Sequence, residues 1–157
     1  MHHKRIFIAS SIIVLIFLIL CLFFFFPIQL LGVNVPKNSF ALEFLSTPSE
    51  CNLNDEINIS VSLKSNFIHS MCVSHGVSII SINYFEEGTD RSDEQVSAIP
   101  AIGKTSYFLP YQKITESKSI KFEHPGNYVI KALATFSIND ISYKYENQFI
   151  ITVTGDE

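Results

Sequence analysis

The stretch Tyr128–Val153, YVIKALATFSINDISYKYENQFIITV, decides the fold. Apolar residues recur at every second position on both sides of Asn139 and Asp140. This period of two is typical of β-strands with one buried face. Because Asn and Asp accept positive φ, the two strands are predicted to join through a tight two-residue hairpin. Asn147 interrupts the apolar face, which predicts a β-bulge or a switch between sheets.

The same alternation predicts further strands upstream. It is strictest in Ile57–Leu63, where apolar residues alternate with Asn, Ser and Ser. Weaker candidates are Phe40–Leu45, Val77–Tyr84, Tyr107–Ile114 with Pro110 inside it, and Ile120–Phe122. No helical periodicity of comparable length follows the N-terminal region. About seven short strands separated by turns are typical of an antiparallel β-sandwich of the immunoglobulin type.

The segment that leads into the long hairpin carries a family resemblance. Phe122–Ala132, with Pro125, Gly126 and Tyr128 in the order P-G-x-Y, resembles the start of the penultimate strand in bacterial Ig-like and PKD-like domains. Phe149–Thr154 is similar to their last strand. The resemblance covers the final third of the chain and implies that Gly126 and Tyr128 form a structural corner, with the Tyr hydroxyl bonded to nearby backbone. It implies a fold and no activity.

A long apolar run precedes this domain. Of the 21 residues in Ile6–Phe26, 19 are apolar and none is charged. A helix of that length measures about 31 Å, close to the hydrocarbon core of a bilayer. Lys4 and Arg5 come before the run, so the positive-inside rule predicts a cytoplasmic N-terminus and an extracytoplasmic domain. A cleaved signal peptide, whose apolar core is shorter, and a lipoprotein processed at Cys21 are the alternatives.

The chain is therefore predicted to be a single-pass protein of the cell inner membrane or plasma membrane. Its parts are a cytoplasmic lead (1–5), a transmembrane helix (6–26), a spacer (27–39), an extracytoplasmic Ig-like β-sandwich (40–154) and a tail (155–157). The net charge is −4, and acidic residues outnumber basic ones beyond Asn34. An acidic domain without a basic stripe is a poor match for nucleic acid or anionic lipid. Nucleic acid is thus excluded as a partner.

Two of the three cysteines lie in the domain predicted to be extracytoplasmic. In an oxidising compartment, Cys51 and Cys72 are predicted to pair as a disulfide. The competing hypothesis is a copper or zinc site, because His69, Met71, Cys72 and His75 supply soft and borderline donors within seven residues. Their spacing matches no standard zinc pattern. No cofactor is predicted.

The segment Glu86–Glu94 is densely acidic. Its charged residues are Glu86, Glu87, Asp90, Arg91, Asp93 and Glu94. Carboxylates at this density suit Ca²⁺, but their order does not match an EF-hand. A solvated loop between strands is the simplest interpretation, and loops at the end of a sandwich commonly carry recognition. These residues are the predicted partner-binding surface.

The common enzyme signatures are missing from the sequence. It has no G-x-S-x-G, P-loop, H-E-x-x-H or G-x-G-x-x-G motif. The sequence therefore favours a non-catalytic, membrane-anchored module of the cell envelope that binds another envelope or secreted protein, as an accessory subunit or an immunity-type protein. The alternatives are a metal-handling protein that uses the His69–His75 cluster and an enzyme with an unrecognised site.

Overall fold

The computed structural model describes residues 2–25, 34–89 and 103–155, and within the first stretch it describes the side chains of residues 11–22. Helix α1 spans His2–Phe25, and a 3-10 turn spans Lys37–Ser39. The strands of the described chain are β1 (Phe40–Phe44), β2 (Glu50–Asn52), β3 (Glu56–Ser65), β4 (Met71–His75), β5 (Ile80–Glu86), β6 (Lys104–Phe108), β7 (Lys113–Lys121), β8 (Gly126–Ile138) and β9 (Ile141–Thr154).

The strands form two sheets that enclose one apolar core. One sheet has the order β1-β3-β7, and the other has the order β2-β9-β8-β4-β6, with β5 also paired to β8. All pairs are antiparallel except β2 with β9. Fully buried side chains from both sheets fill the core, among them Ile59, Leu63, Val73, Phe108, Ile130 and Ile151. The predicted β-sandwich is confirmed, with one parallel pair that the sequence did not indicate.

The hairpin of β8 and β9 is confirmed. Asn139 and Asp140 have φ values of 49° and 63°, which suits a two-residue turn that needs positive φ at both positions. The prediction of a bulge or sheet switch at Asn147 is wrong, because the register runs unbroken along both strands. Asn147 instead donates from Nδ2 to the carbonyl oxygen of Leu42 on β1, at 3.0 Å. Its amide thus bonds the opposite sheet, which makes a polar residue acceptable on the apolar face.

Several strands differ from the sequence prediction. The short strands β2 and β4 were not expected. The single strand predicted over Tyr107–Ile114 is instead parts of two strands, β6 and β7, because Pro110 occupies the turn between them. Strand β7 is longer than predicted because it is a sheet edge with mostly exposed side chains, so its alternation is weak. Val77 is exposed and lies before β5.

The predicted transmembrane segment Ile6–Phe26 coincides with α1, except that Phe26 lies outside the described residues. Within the part of the chain that the structure describes, no helix is long and apolar enough to cross a membrane. The span, the cytoplasmic lead and the location stay predictions. Of the predicted spacer 27–39 and tail 155–157, residues 27–33 and 156–157 lie outside the described residues.

The strand register gives the sandwich two ends. The end at which the chain arrives from α1 is called the proximal end. It comprises residues 35–41, 64–72, 107–114 and 136–143. The distal end comprises residues 50–56, 86–89, 121–128 and 150–155. Strand β8 alone has 13 residues, so at about 3.3 Å per residue the two ends lie about 40 Å apart.

Candidate binding surface at the distal end of the sandwich

The structural corner at Gly126 and Tyr128 has the geometry that the resemblance implies. The Tyr128 hydroxyl donates to the carbonyl oxygen of His124, at 3.0 Å. The Tyr128 ring packs on Phe122, with centroids 4.5 Å apart. Burial, and then the nearby Glu86 carboxylate, raise the pKa of the Tyr128 hydroxyl, so it stays protonated and able to donate. The corner therefore fixes the turn 122–125 at the distal end.

Position 126 requires glycine because of its backbone conformation and not because a side chain would clash with its neighbours. Its φ is +152°, a conformation that L side chains rarely adopt. A Cβ at this position would meet only Glu86 Oε1 at 3.8 Å and Tyr128 Cε2 at 4.0 Å, both ordinary contacts. The glycine thus allows the chain to turn from 122–125 into β8.

Two of the predicted partner-binding residues are held firmly on this corner. Glu86 ends β5 and pairs with Tyr128 in register. The next residue, Glu87, donates its backbone N–H to the carbonyl oxygen of Asn127, at 2.8 Å. Thr89 closes the turn by donating from its hydroxyl to the carbonyl oxygen of Glu86, at 2.6 Å. The predicted residues Asp90, Arg91, Asp93 and Glu94 lie outside the described residues.

Further carboxylates share this end of the sandwich with Glu86 and Glu87, and the sequence did not single them out. Strands that are distant in sequence bring them together across both sheets. We call the set the distal acidic surface: Glu50, Asp55, Glu56, Glu86, Glu87 and Glu123. Among the described residues of the distal end, Lys121 is the only Lys or Arg. The surface therefore carries a strong excess of negative charge.

Two of these carboxylates are already used in local structure. The Asp55 carboxylate accepts the backbone N–H of Asn52, at 3.2 Å. The Glu56 carboxylate accepts the Ser119 hydroxyl, and Glu56 faces Lys121 across β3 and β7. In the described chain no three His, Cys, Asp or Glu side chains are arranged to hold a metal ion. The distal acidic surface is therefore an electrostatic face rather than a formed cation site.

The predicted disulfide between Cys51 and Cys72 is not formed. Cys51 pairs with Val153 on the distal part of the sheet, whereas Cys72 pairs with Tyr107 at the proximal end. Three inter-strand spacings also separate β2 from β4, which is about 14 Å. A disulfide requires Cα atoms within about 7 Å of each other. The fold itself therefore keeps the two thiols apart.

The four candidate metal ligands of the second hypothesis are not brought into one coordination sphere. Met71 is fully buried in the core, and the adjacent Cys72 lies on the other face of β4, since side chains alternate along a strand. His75 Nε2 shares a hydrogen bond with the Ser106 hydroxyl, at 2.7 Å. His69 is buried in the preceding loop against the ring of Phe67. The strand conformation of β4, which the sequence prediction missed, separates these donors.

Comparisons with known proteins return only distant likenesses. No protein family matches the chain, and no curated protein matches it either. Among solved structures it resembles a PapD-like domain of human CEP192, with 8% identity over 80% of this chain and 92% of that one and a TM-score of 0.47. A CARDB domain from Pyrococcus furiosus gives 14% identity, 74% and 94% coverage and a TM-score of 0.43. A β-glucosidase from Listeria innocua gives 13% identity and a TM-score of 0.44, and this chain spans 16% of its length.

Proposed function

We propose that this protein is a non-catalytic binding module, held at the cell envelope by its N-terminal helix, whose distal acidic surface recognises a basic face of another envelope or secreted protein. The observation that carries the proposal is the collection of carboxylates from both sheets at one end of the domain. Potentials of one sign over a surface steer an oppositely charged partner and disfavour wrong ones.

Rigidity of the surface is the second support. Glu86 ends β5, Glu87 follows it, and the backbone of both pairs with the start of β8, so little backbone ordering is needed when a partner binds. A preorganised surface loses less conformational entropy on association than a loose loop does. This favours specific recognition over general solvation as the role of these charges.

The composition of α1 supports the anchor. Its described stretch, 11–22, carries large apolar side chains that are about half exposed or more on every side of the helix, such as Ile13, Phe17 and Ile19. A helix that is apolar all round needs an apolar environment, either a protein core or lipid. With Lys4 and Arg5 before it, the helix fits an anchor with a cytoplasmic N-terminus.

Site-specific crosslinking in intact cells tests the binding role. A photoreactive amino acid at position 87 is expected to capture a specific protein, and the same group at Lys144, on the side of the sandwich, serves as the matched control. The Glu50→Lys and Glu123→Lys substitutions should each weaken capture at position 87 while leaving the fold intact. If capture is equal from both positions, or survives charge reversal, the distal acidic surface is not the binding site.

Membrane topology is tested separately on spheroplasts, cells whose outer envelope layers have been removed while the inner or plasma membrane stays intact. An external protease should remove the β domain, and α1 should stay in the membrane fraction after alkaline extraction. A domain that is digested only after the membrane is lysed would contradict the extracytoplasmic assignment. Release of the whole chain by alkali would contradict the anchor.

A further inference from the structure

The proximal end of the sandwich has the opposite character to the distal end. Large apolar side chains are exposed there, with Tyr111 59% exposed and Ile68, Leu109, Tyr107 and Ile141 each between 39% and 45%. They lie in the loops 66–70 and 109–112, on the adjoining part of β6 and at the start of β9. We infer that this surface, which we call the proximal patch, contacts the headgroup region of the bilayer in which α1 is anchored.

The loops of the proximal patch are joined into one unit. The backbone N–H of Tyr111 donates to the carbonyl oxygen of Phe67, at 3.3 Å. The backbone N–H of Asn66 donates to the carbonyl oxygen of Ser39, at 2.7 Å. The Tyr107 hydroxyl donates to the Ser70 hydroxyl, at 2.8 Å. These bonds join the two loops and β6, and the bond from Asn66 to Ser39 also ties them to the segment arriving from α1. Aromatic side chains with a polar tip are the type that occupies membrane interfaces.

Tyr111 also carries a conformational cost. Its φ is +57°, in the left-handed region, which is unusual for a bulky residue. Gly or Asn usually occupies such a position in a turn, because both tolerate the left-handed conformation. The structure thus holds a large aromatic ring in solvent where a small residue would be more stable, and strain of this kind concentrates at functional positions.

The charged residues of the proximal end also favour contact with a lipid surface. The described charged residues of the proximal end are Lys37, Lys64 and Lys113 against Asp140. Lys64 and Lys113 face each other directly across β3 and β7, and like charges in such a pair destabilise an isolated sheet. An anionic lipid surface relieves this repulsion and attracts each Lys, by about fivefold in the binding equilibrium.

The length of the connecting chain is consistent with this contact. Residues 26–34 separate the end of α1 from Val35, which is buried in the domain. Fully extended, this segment spans at most about 35 Å. Under the proposed function, on which this inference rests, the proximal end therefore stays within about 35 Å of the membrane surface, a range that includes direct contact.

A site-specific depth measurement tests the inference, because the chain contains no Trp. The full chain is reconstituted into vesicles of phosphatidylcholine and phosphatidylglycerol that carry brominated acyl chains. The indole introduced by Tyr111→Trp should lose about half or more of its fluorescence, since interfacial residues lie about 5–10 Å into the headgroup and acyl boundary. The matched control is Leu45→Trp, which is similarly exposed (48%) but bonds the backbone of Ser60, five residues or about 16 Å along β3 from Ser65, and should keep its fluorescence.

Two further variants separate contact from folding. With Leu109→Trp as the reporter, Tyr111→Gly should reduce quenching while the domain keeps or gains stability, because Gly accepts a φ of +57° without strain. Lys64→Glu together with Lys113→Glu should reduce quenching in anionic vesicles and have little effect in vesicles of phosphatidylcholine alone.

The outcomes divide cleanly. If the chain floats with the vesicles but the Tyr111→Trp indole is not quenched, the proximal patch does not contact lipid, and the anchor stands. Equal quenching of Tyr111→Trp and Leu45→Trp would also overturn the assignment, because the domain would then lie along the membrane. A chain that does not float with vesicles overturns both the anchor and the contact.

Discussion

The Tyr143 hydroxyl group holds the segment that arrives from α1. It donates to the carbonyl oxygen of Val35, at 2.7 Å, in a buried setting. The ring itself stacks on Phe136, with centroids 5.5 Å apart and planes 8° from parallel. Tyr143→Phe keeps the ring and its stacking and removes only the hydroxyl. This substitution therefore isolates a single hydrogen bond between the body of the domain and the arriving chain.

The cost follows from burial. Val35 is 5% exposed and Tyr143 3% exposed, so water has poor access to the carbonyl left behind. An unsatisfied buried acceptor costs about 1–3 kcal/mol. The neighbouring Tyr145 hydroxyl donates to the carbonyl oxygen of Lys37. The Tyr145 side chain is only partly buried, so water can reach that carbonyl once the hydroxyl is removed. We therefore expect Tyr143→Phe to lower the free energy of unfolding by about 1–3 kcal/mol and Tyr145→Phe by about 0.5 kcal/mol.

The assay combines global and local measurements on the full chain in detergent micelles. Urea unfolding followed by circular dichroism gives the free energy of unfolding for each variant. Hydrogen exchange of peptides covering 35–40 should accelerate in Tyr143→Phe before exchange in β3 or β8 changes, because the arriving segment is released first. Equal effects of the two Tyr→Phe substitutions, or unchanged exchange at 35–40, would refute the assigned role of this bond.

Three other predictions concern backbone, thiols and titration. Gly126→Ala should cost about 1–3 kcal/mol in urea unfolding because of its φ of +152°, whereas Gly103→Ala, with open space around it, should be nearly neutral; equal costs would contradict the backbone explanation. Cys51 and Cys72 should both be alkylated without prior reduction, with Cys51 slower because burial, and then Asp55, raise the pKa of its thiol; protection until reduction would show a disulfide after all. Burial raises the pKa of Tyr145 to about 12, so its contribution to stability is complete below the unfolded pKa near 10 and is lost as pH rises toward 12; Tyr145→Phe should remove the last step of the ultraviolet phenolate titration.

Local patterns in the sequence predicted the parts of the fold that depend on nearest neighbours. The alternation on both sides of Asn139 and Asp140 specified the hairpin, and the P-G-x-Y segment specified the corner at Tyr128. The polar residue that interrupts the apolar alternation of β9 did not predict the local structure correctly. Asn147 looked like a defect of its strand because its partner, the carbonyl oxygen of Leu42, lies on a strand about a hundred residues earlier. A side chain's acceptability depends on such distant partners.

The distal acidic surface could be predicted only in part, for a similar reason. Glu86 and Glu87 were noticed because acidic residues follow them closely in sequence. Glu50 and Glu56 come from separate strands and Glu123 from the turn between β7 and β8, and they join Glu86 and Glu87 only through the strand order of the two sheets. The same limitation affected the cysteines, since Cys51 and Cys72 are close in sequence while their strands place them at different ends.

Net charge gave an incomplete view of the protein's surface, since it averages over two ends of opposite sign. The distal end is acidic, whereas Lys37, Lys64 and Lys113 lie at the proximal end. An anionic bilayer would attract the proximal end and repel the distal end, and within the Debye length of about 10 Å only the nearer end feels it strongly. If α1 is anchored in that bilayer, the connection to Val35 also keeps the proximal end within about 35 Å of the membrane. The opposite charges of the two ends would therefore direct the distal acidic surface about 40 Å away from the membrane, where a basic protein partner could reach it without competing with lipid.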